Sequence, residues 1–294
     1  MGRKLSPIDP LASTIALAGK QHGIYFSPGF NPPLRSSIPV VFTIHDLIHV
    51  RVPAESTALR RLYYAHVVRP AAQRAARILT VSEYSRRDIC EWAGLPPDQV
   101  VVVGNGVSSA FHPDGPRHTG PEPYFLHVGR RAGHKNIVRL LEAFSRGRYP
   151  QAMRMRFTGL PDRTTVSVVE RLGLRTRVDF LGQLSDTALA SHYRSAMALV
   201  FPSIYEGFGL PIVEAMACGT PVVTSSTTAT AEVAGPGNAV LVDPGSTEAL
   251  AAAMERIASD AQLRSDLAQR GPRRAMEFSW ERVASRTLEA LDVP

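Results

Sequence analysis

Two glutamates, Glu206 and Glu214, stand on either side of a glycine-rich turn in the stretch YEGFGLPIVEAMACGTPVV (205–223). GFGL leads into a helical pattern with Pro211 at its expected first position, where a missing N–H costs nothing. A helix mouth entered through glycines presents backbone N–H groups to an anion, typically a phosphate. Glu214, expected in the first helical turn, would reach past that anion toward the paired hydroxyls of a ribose. Glu206, before the turn, would face whatever hangs from the other end of the phosphates. The turn therefore suits a nucleoside diphosphate carrying a further group. The competing reading is structural: Glu214 complements the helix dipole and GFG is a tight turn.

A second constellation, GRRAGHKN (129–136), also leaves a strand and enters a helix. Arg130 and Lys135 can converge there on a diphosphate and neutralise the charge that builds as it departs. Lys135 is the only lysine after Lys20 in a chain whose other cations there are arginines. A compact ammonium and a guanidinium fork do different work at phosphate. Two solvated loop charges are the alternative. In TIHD (43–46) His45 and Asp46 end an earlier strand, where a histidine can orient or deprotonate a hydroxyl, or serve only the fold. His45 and His49 do not share a helix face, so metal binding is the weaker reading and no metal is expected.

Short β-branched runs must position these loops. They are GIYFS, VVFTIH, ILTVS and VVVV in the first part, then YFLHV, RMRFT, VDFL, ALVF, PVVT and AVLV. Helical patterns alternate with them, as in parallel sheets covered by helices, whose ligands sit at strand carboxyl ends. The Pro- and Gly-rich stretch FHPDGPRHTGPEP (111–123) reads as a linker. The expected division is a first domain over 1–115, a second over 116–276, and a terminal helix over 277–294 that packs back toward the first.

The 294 residues, 44% apolar and 20% charged, describe a folded globular protein rather than a disordered one. No apolar run is long enough to span a bilayer. Pro7, Asp9 and Pro10 interrupt the place of a signal peptide's apolar stretch. Cys90 and Cys218 lack metal-like spacing and read as reduced thiols, so the expected location is the cytoplasm. The net charge of +7 is concentrated early, with no acidic residue between Ser56 and Ser82 beside Arg60, Arg61, Arg69, Arg74 and Arg77. That segment, 56–82, is either a contact for an anionic membrane at its inner face or a solvated helix face. Nucleic acid is not an expected partner, because no recognition motif accompanies the charge. GNG (104–106) is followed by no helix, which argues against a nicotinamide enzyme.

With these residues in place the chain resembles the retaining glycosyltransferases of family 4. EGFGLPIVE matches their E-x7-E motif. TIHD, ILTVSEYSRRDI, VVVVGNGV, VGRRAGHKN, VDFLGQLSD, CGTPVV and FSWERVA follow that family's order from about Gly23 onward. The resemblance implies an α/β protein of GT-B type, with two Rossmann-like doubly wound domains. It also implies transfer of a hexosyl group, mannosyl or glucosyl, with retention, from a GDP- or UDP-linked sugar to a glycan or lipid-linked acceptor. No cofactor beyond that co-substrate, and no obligatory metal, is implied. Carried over, Arg130, Lys135 and the amides of Gly207, Phe208, Gly209 and Leu210 would hold the diphosphate. Glu214 would bind the ribose and Glu206 the sugar, Leu181 and Gly182 would lie near the base, and His45 and Asp46 on the sugar and acceptor side. Family members usually begin with a further strand, glycine-rich loop and helix. The first domain is therefore expected to be incomplete at its N-terminus, and a nucleotide-sugar-binding remnant with impaired turnover is the alternative.

Overall fold

A computed structural model describes residues 8–293. The chain forms two compact units. The first comprises the segment up to Asn105 together with that from Trp280, and the second runs from Gly106 to Ser279.

The first unit is built on four parallel strands: β1 (Tyr25–Ser27), β2 (Val40–Thr43), β3 (Arg77–Thr80) and β4 (Val100–Val102), ordered β1-β2-β3-β4. Alternate residues go to opposite faces. Phe42 and Ile78 join Ile44, Tyr64, Val68 and Ile89 on one side, while Val41 and Leu79 meet Val103 and Ala290 on the other. Ala290 belongs to the terminal helix Trp280–Leu291, which Arg77 also holds by donating to the Glu289 carbonyl at 3.2 Å. Ser82 caps the helix Glu83–Ala93 through the Ser85 amide, and Gly94 ends it in the left-handed region at φ 68°. The arginine-rich segment runs from Ala58 to Arg74 as helix, with one π-helical stretch at Tyr64–Val68.

The second unit carries six parallel strands: β5 (Tyr124–His127), β6 (Arg154–Phe157), β7 (Val178–Phe180), β8 (Ala198–Phe201), β9 (Val222–Ser225) and β10 (Val240–Val242). Every residue of β5, β8 and β9 is buried, as expected for strands covered by helices on both faces. The core joins Phe125, Met155, Phe157, Val200 and Val223 to Leu140, Leu141, Phe144, Leu250 and Met254 from the flanking helices. The spatial order is β10-β9-β8-β5-β6-β7. The chain winds outward from β5 to β7, then returns to place β8 against the other side of β5. That reversal is the topological switch point of a doubly wound sheet, where a crevice opens outside the carboxyl ends.

The Pro- and Gly-rich stretch 111–123 does not divide the units. It lies within the second, where Arg194 of the helix Asp186–Ser195 donates to the carbonyls of His112 (3.0 Å) and Pro116 (2.9 Å). His118 stacks on His192 of the same helix, ring centroids 4.3 Å apart. Composition marked the absence of regular structure, but main-chain carbonyls left free in such a stretch are what a buried arginine can gather. The division falls between Asn105 and Gly106, upstream of the expected residue 115.

Candidate functional site

At the switch point the loop after β5 and the loop after β8 are stitched together. Ile204 N donates to the His134 carbonyl at 2.8 Å. Asn136 sits at φ 59°, a left-handed conformation that asparagine tolerates better than most residues. Its Nδ2 donates to the carbonyl of Pro202 after β8 (3.1 Å) and to that of Pro244 after β10 (2.8 Å). Three carboxyl-end loops thus hang on one side-chain amide. Ser225 Oγ adds a bond to the Ser203 carbonyl at 2.6 Å.

Across this seam Lys135 Nζ donates to Glu206 Oε1 at 2.7 Å, both side chains only 13% exposed. The ammonium also lies 4.6 Å above the Phe201 ring, whose face favours a cation. Arg130 is exposed, and its guanidinium makes no hydrogen bond or ion pair with another described residue. Its neighbour Arg131 turns inward. It donates to the carbonyls of Gly129 (3.2 Å) and Thr158 (2.6 Å) and lies 4.9 Å over Phe157, so it braces the loop.

Beyond Glu206 the backbone passes Gly209 at φ 101° and enters the helix Leu210–Ala217. The backbone conformation favours glycine there, and a Cβ would also crowd the tip of Ile212, 3.0 Å from its Cδ1. None of the N–H groups of Phe208, Gly209 and Leu210 has an acceptor among the described residues. Pro211 is the second helical residue rather than the first. The helix is held close to the helix Ala261–Ala275, where Gly271 leaves room for Met216: a Cβ there would come 3.1 Å from the Met216 carbonyl oxygen. Phe208 is buried edge-on against Phe278, centroids 5.5 Å apart, which anchors the turn.

Glu214 lies beyond the first helical turn, not within it, because the helix already starts at Leu210. The dipole at the helix mouth is therefore not its partner. Its Oε2 accepts from Tyr193 Oη at 2.9 Å, and burial holds its carboxyl above the ordinary value, opposed by that hydrogen bond. Tyr193 is fully buried, and burial followed by the Glu214 charge pushes its phenol well up. Sequence reading missed Tyr193, since a tyrosine in a helical pattern is usually core. Asn136 was missed for the same reason: one amide among loop residues carries no signal until the loops it joins are known.

Leu181 and Gly182 follow the edge strand β7. Leu181 N donates to the Phe157 carbonyl, and the Gly182 carbonyl accepts from Gly159 N at 2.6 Å. They belong to the β6–β7 end of the crevice rather than to the Lys135–Glu206 cluster. His127, in β5, is fully buried beneath the seam with Nδ1 2.9 Å from the Val200 carbonyl. Burial lowers its pKa to about 3, so the ring stays neutral.

In the first unit, His45 follows β2 and is exposed, Nε2 lying 3.3 Å from the Pro28 carbonyl. Asp46 accepts from the Ile48 amide at 2.9 Å and starts the short helix Ile48–Arg51. Among the described residues no group of histidine, cysteine and carboxylate side chains could hold a metal ion.

These features define an α/β protein of two parallel-sheet units, and comparison with known proteins agrees on that fold. The model for glycosyl transferases group 1 matches residues 109–274, and that for glycosyltransferase family 4 matches residues 22–111. The chain belongs to this glycosyltransferase family and has its GT-B fold. It is 33% identical over 298 aligned positions to the O-antigen chain mannosyltransferase B of Escherichia coli, covering 96% of this chain and 77% of that protein. The MMP alpha-(1->4)-mannosyltransferase of Mycolicibacterium hassiacum is also 33% identical, over 86% of this chain and 65% of its own length. Among solved structures, a sucrose-phosphate synthase from Thermosynechococcus elongatus superposes with a TM-score of 0.80 at 25% identity, over 95% of this chain and 75% of that one. HepE of Anabaena in complex with UDP and glucose superposes with a TM-score of 0.73 at 23% identity, over 86% of this chain and 71% of that one.

Proposed function

We propose that the chain transfers a mannosyl or glucosyl group from a GDP- or UDP-linked sugar to a glycan or lipid-linked acceptor, with retention at the anomeric carbon. The observation that carries this reading is the juxtaposition of Lys135, Glu206 and three uncommitted amides at the switch point. The amides of Phe208, Gly209 and Leu210, with that of Gly207, donate to the diphosphate. Lys135 and the exposed Arg130 neutralise it as it leaves, so no metal is required for that task. Glu214, oriented by Tyr193, takes the ribose hydroxyls, and Glu206 takes hydroxyls of the sugar. Leu181 and Gly182 border the base. His45 and Asp46 serve the sugar and acceptor side. The mannosyltransferases among its relatives favour mannose.

A thermal-shift panel of GDP, UDP and ADP with their common sugars tests the reading, followed by a time course of donor consumption. One nucleotide should raise the melting temperature, and its sugar form should be consumed once an acceptor is supplied. A panel in which no nucleotide shifts the transition would contradict it.

Work in the cytoplasm, at the inner face of a membrane, accords with the segment 56–82. Its helix exposes Leu59 (75%) and Leu62 (55%) beside Arg60 and Arg61. Apolar side chains flanked by arginines suit an anionic bilayer surface. Co-sedimentation with phosphatidylglycerol vesicles, lost on Leu62→Asp and absent with phosphatidylcholine, is expected. Equal recovery with both lipids would remove this contact.

A further inference from the structure

Glu206 occupies a position where a fixed negative charge has a consequence beyond holding a sugar. Without ligand it neutralises Lys135 across the switch point, and the pair is largely shielded from water. Two opposite charges in such a place are costly to separate unless each receives a new partner. A sugar-bearing donor supplies both: its diphosphate takes the ammonium, and its neutral sugar hydroxyls donate to the carboxylate. The nucleoside diphosphate left after transfer supplies only the first.

The charge difference between the two ligands lies on the same side. In the donor the terminal phosphate is esterified to the sugar and joined by an anhydride to the inner phosphate, so it carries a single charge. During transfer the bond from the anomeric carbon to the terminal phosphate oxygen breaks, and its electron pair stays on that oxygen. The anomeric carbon bonds to the acceptor hydroxyl oxygen, whose proton is released. The phosphate has then become a monoester-type group with roughly −1.5 to −2 charge at neutral pH. Its new charge develops where the sugar was attached, which on the proposed site is the side that Glu206 faces. Like charges brought together out of water repel strongly.

We propose that Glu206 sorts donor from product: its carboxylate favours the sugar-bearing nucleotide and disfavours the spent nucleoside diphosphate, returning to Lys135 as the product leaves. This rests on the diphosphate site proposed above. It makes Glu206 a specificity-determining residue, with Lys135 exchanged between the carboxylate and the phosphate in each cycle. The adjacent exposed Arg130 has no carboxylate partner to return to, so its substitution weakens both ligands alike.

The test compares dissociation constants for GDP with GDP-mannose, UDP with UDP-glucose and ADP with ADP-glucose, by calorimetry on the whole chain. Wild type, Glu206→Gln, Glu206→Asp and Lys135→Met are each measured. For whichever nucleotide binds, Glu206→Gln should bind the nucleoside diphosphate about ten-fold tighter while its affinity for the sugar form falls. Product inhibition of turnover should deepen in parallel. Glu206→Asp keeps the charge, so it should keep the preference for donor over product even if it melts earlier. Equal weakening of both ligands in Glu206→Gln would mean that Glu206 merely holds Lys135 in place, and would overturn the proposal. So would an unchanged affinity for the nucleoside diphosphate. Either result, together with a loss in Lys135→Met, would leave the diphosphate site standing and remove only the sorting role. If no nucleotide binds the wild type, or Lys135→Met changes nothing, the site itself is wrong and the sorting role falls with it.

Discussion

At the carboxyl end of β2, His45 is exposed against one carbonyl at 3.3 Å, and Asp46 is committed to starting a short helix. At the carboxyl ends of β5 and β8 the loop residues are instead tied across the sheet by Asn136, by the Ile204–His134 bond and by the Lys135–Glu206 pair. Both regions are loops at the ends of parallel strands, and in the second three carboxyl-end loops are bonded to one another. The difference follows from topology. In the second unit the chain reverses between β5 and β8, so two loops diverge around one crevice and can brace each other. In the first unit the four described strands, β1 to β4, lie in sequence order, with no such reversal among them. A region that must hold a charged ligand in one geometry gains from fixed dipoles and charges.

The comparison can be broken at the helix mouth. Gly209→Val forces a β-branched residue to φ 101° and against Ile212, and should cost about 2–4 kcal/mol of stability by distorting the turn. Nucleotide binding should disappear with it, by calorimetry at a temperature where the variant is folded. A variant that melts and binds like wild type would show that the glycine turn is not what shapes the site.

Lys135→Ala comes next. It removes a charged donor and strands the Glu206 carboxylate, so donor affinity should fall by about 1–3 kcal/mol, roughly five- to 150-fold. An undiminished affinity would place the diphosphate elsewhere.

Tyr193→Phe removes the hydroxyl that orients Glu214 and should weaken nucleotide binding by about 1 kcal/mol. The same carboxyl gives a pH signature. Burial raises its pKa in the folded chain, so the folded state keeps the proton to a higher pH than the unfolded state. Its contribution to stability is therefore fully present below the ordinary carboxyl pKa and is lost as pH rises through the raised value. Glu214→Gln should remove that part of the loss in a series of melting curves; identical slopes would mean that the carboxyl is not buried in solution.

The smallest effect is expected in the other region. His45→Ala should change nucleotide affinity by less than about 0.5 kcal/mol while turnover falls. A loss of nucleotide affinity as large as that of Lys135→Ala would erase the distinction between the two regions.

Much of this was legible beforehand, for physical reasons. Parallel strands buried on both faces, such as β5, β8 and β9, read as unbroken apolar runs, and all ten strands overlap runs visible in the sequence. Glycines such as Gly209 are conspicuous because few residues replace them at positive φ. The lone lysine stood out among arginines. Its pairing with Glu206 was not visible, since the two residues come from loops on opposite sides of the reversal, and strand order is not written locally. Tyr193 and Asn136 were hidden for the same reason. The strap over 111–123 was read as a linker because proline and glycine report irregular backbone without reporting what holds it. Pro211 and Glu214 each lie one step deeper in their helix than expected, and Glu214 is met there by the Tyr193 hydroxyl.

The most direct measurement of the central claim is a crystal structure of the chain with its tightest-binding nucleoside diphosphate sugar. The account requires the diphosphate within hydrogen-bonding distance of the Phe208, Gly209 and Leu210 amides, with Lys135 turned from Glu206 toward it. A nucleotide bound away from the Leu210 helix mouth, with the Lys135–Glu206 pair intact, would contradict it.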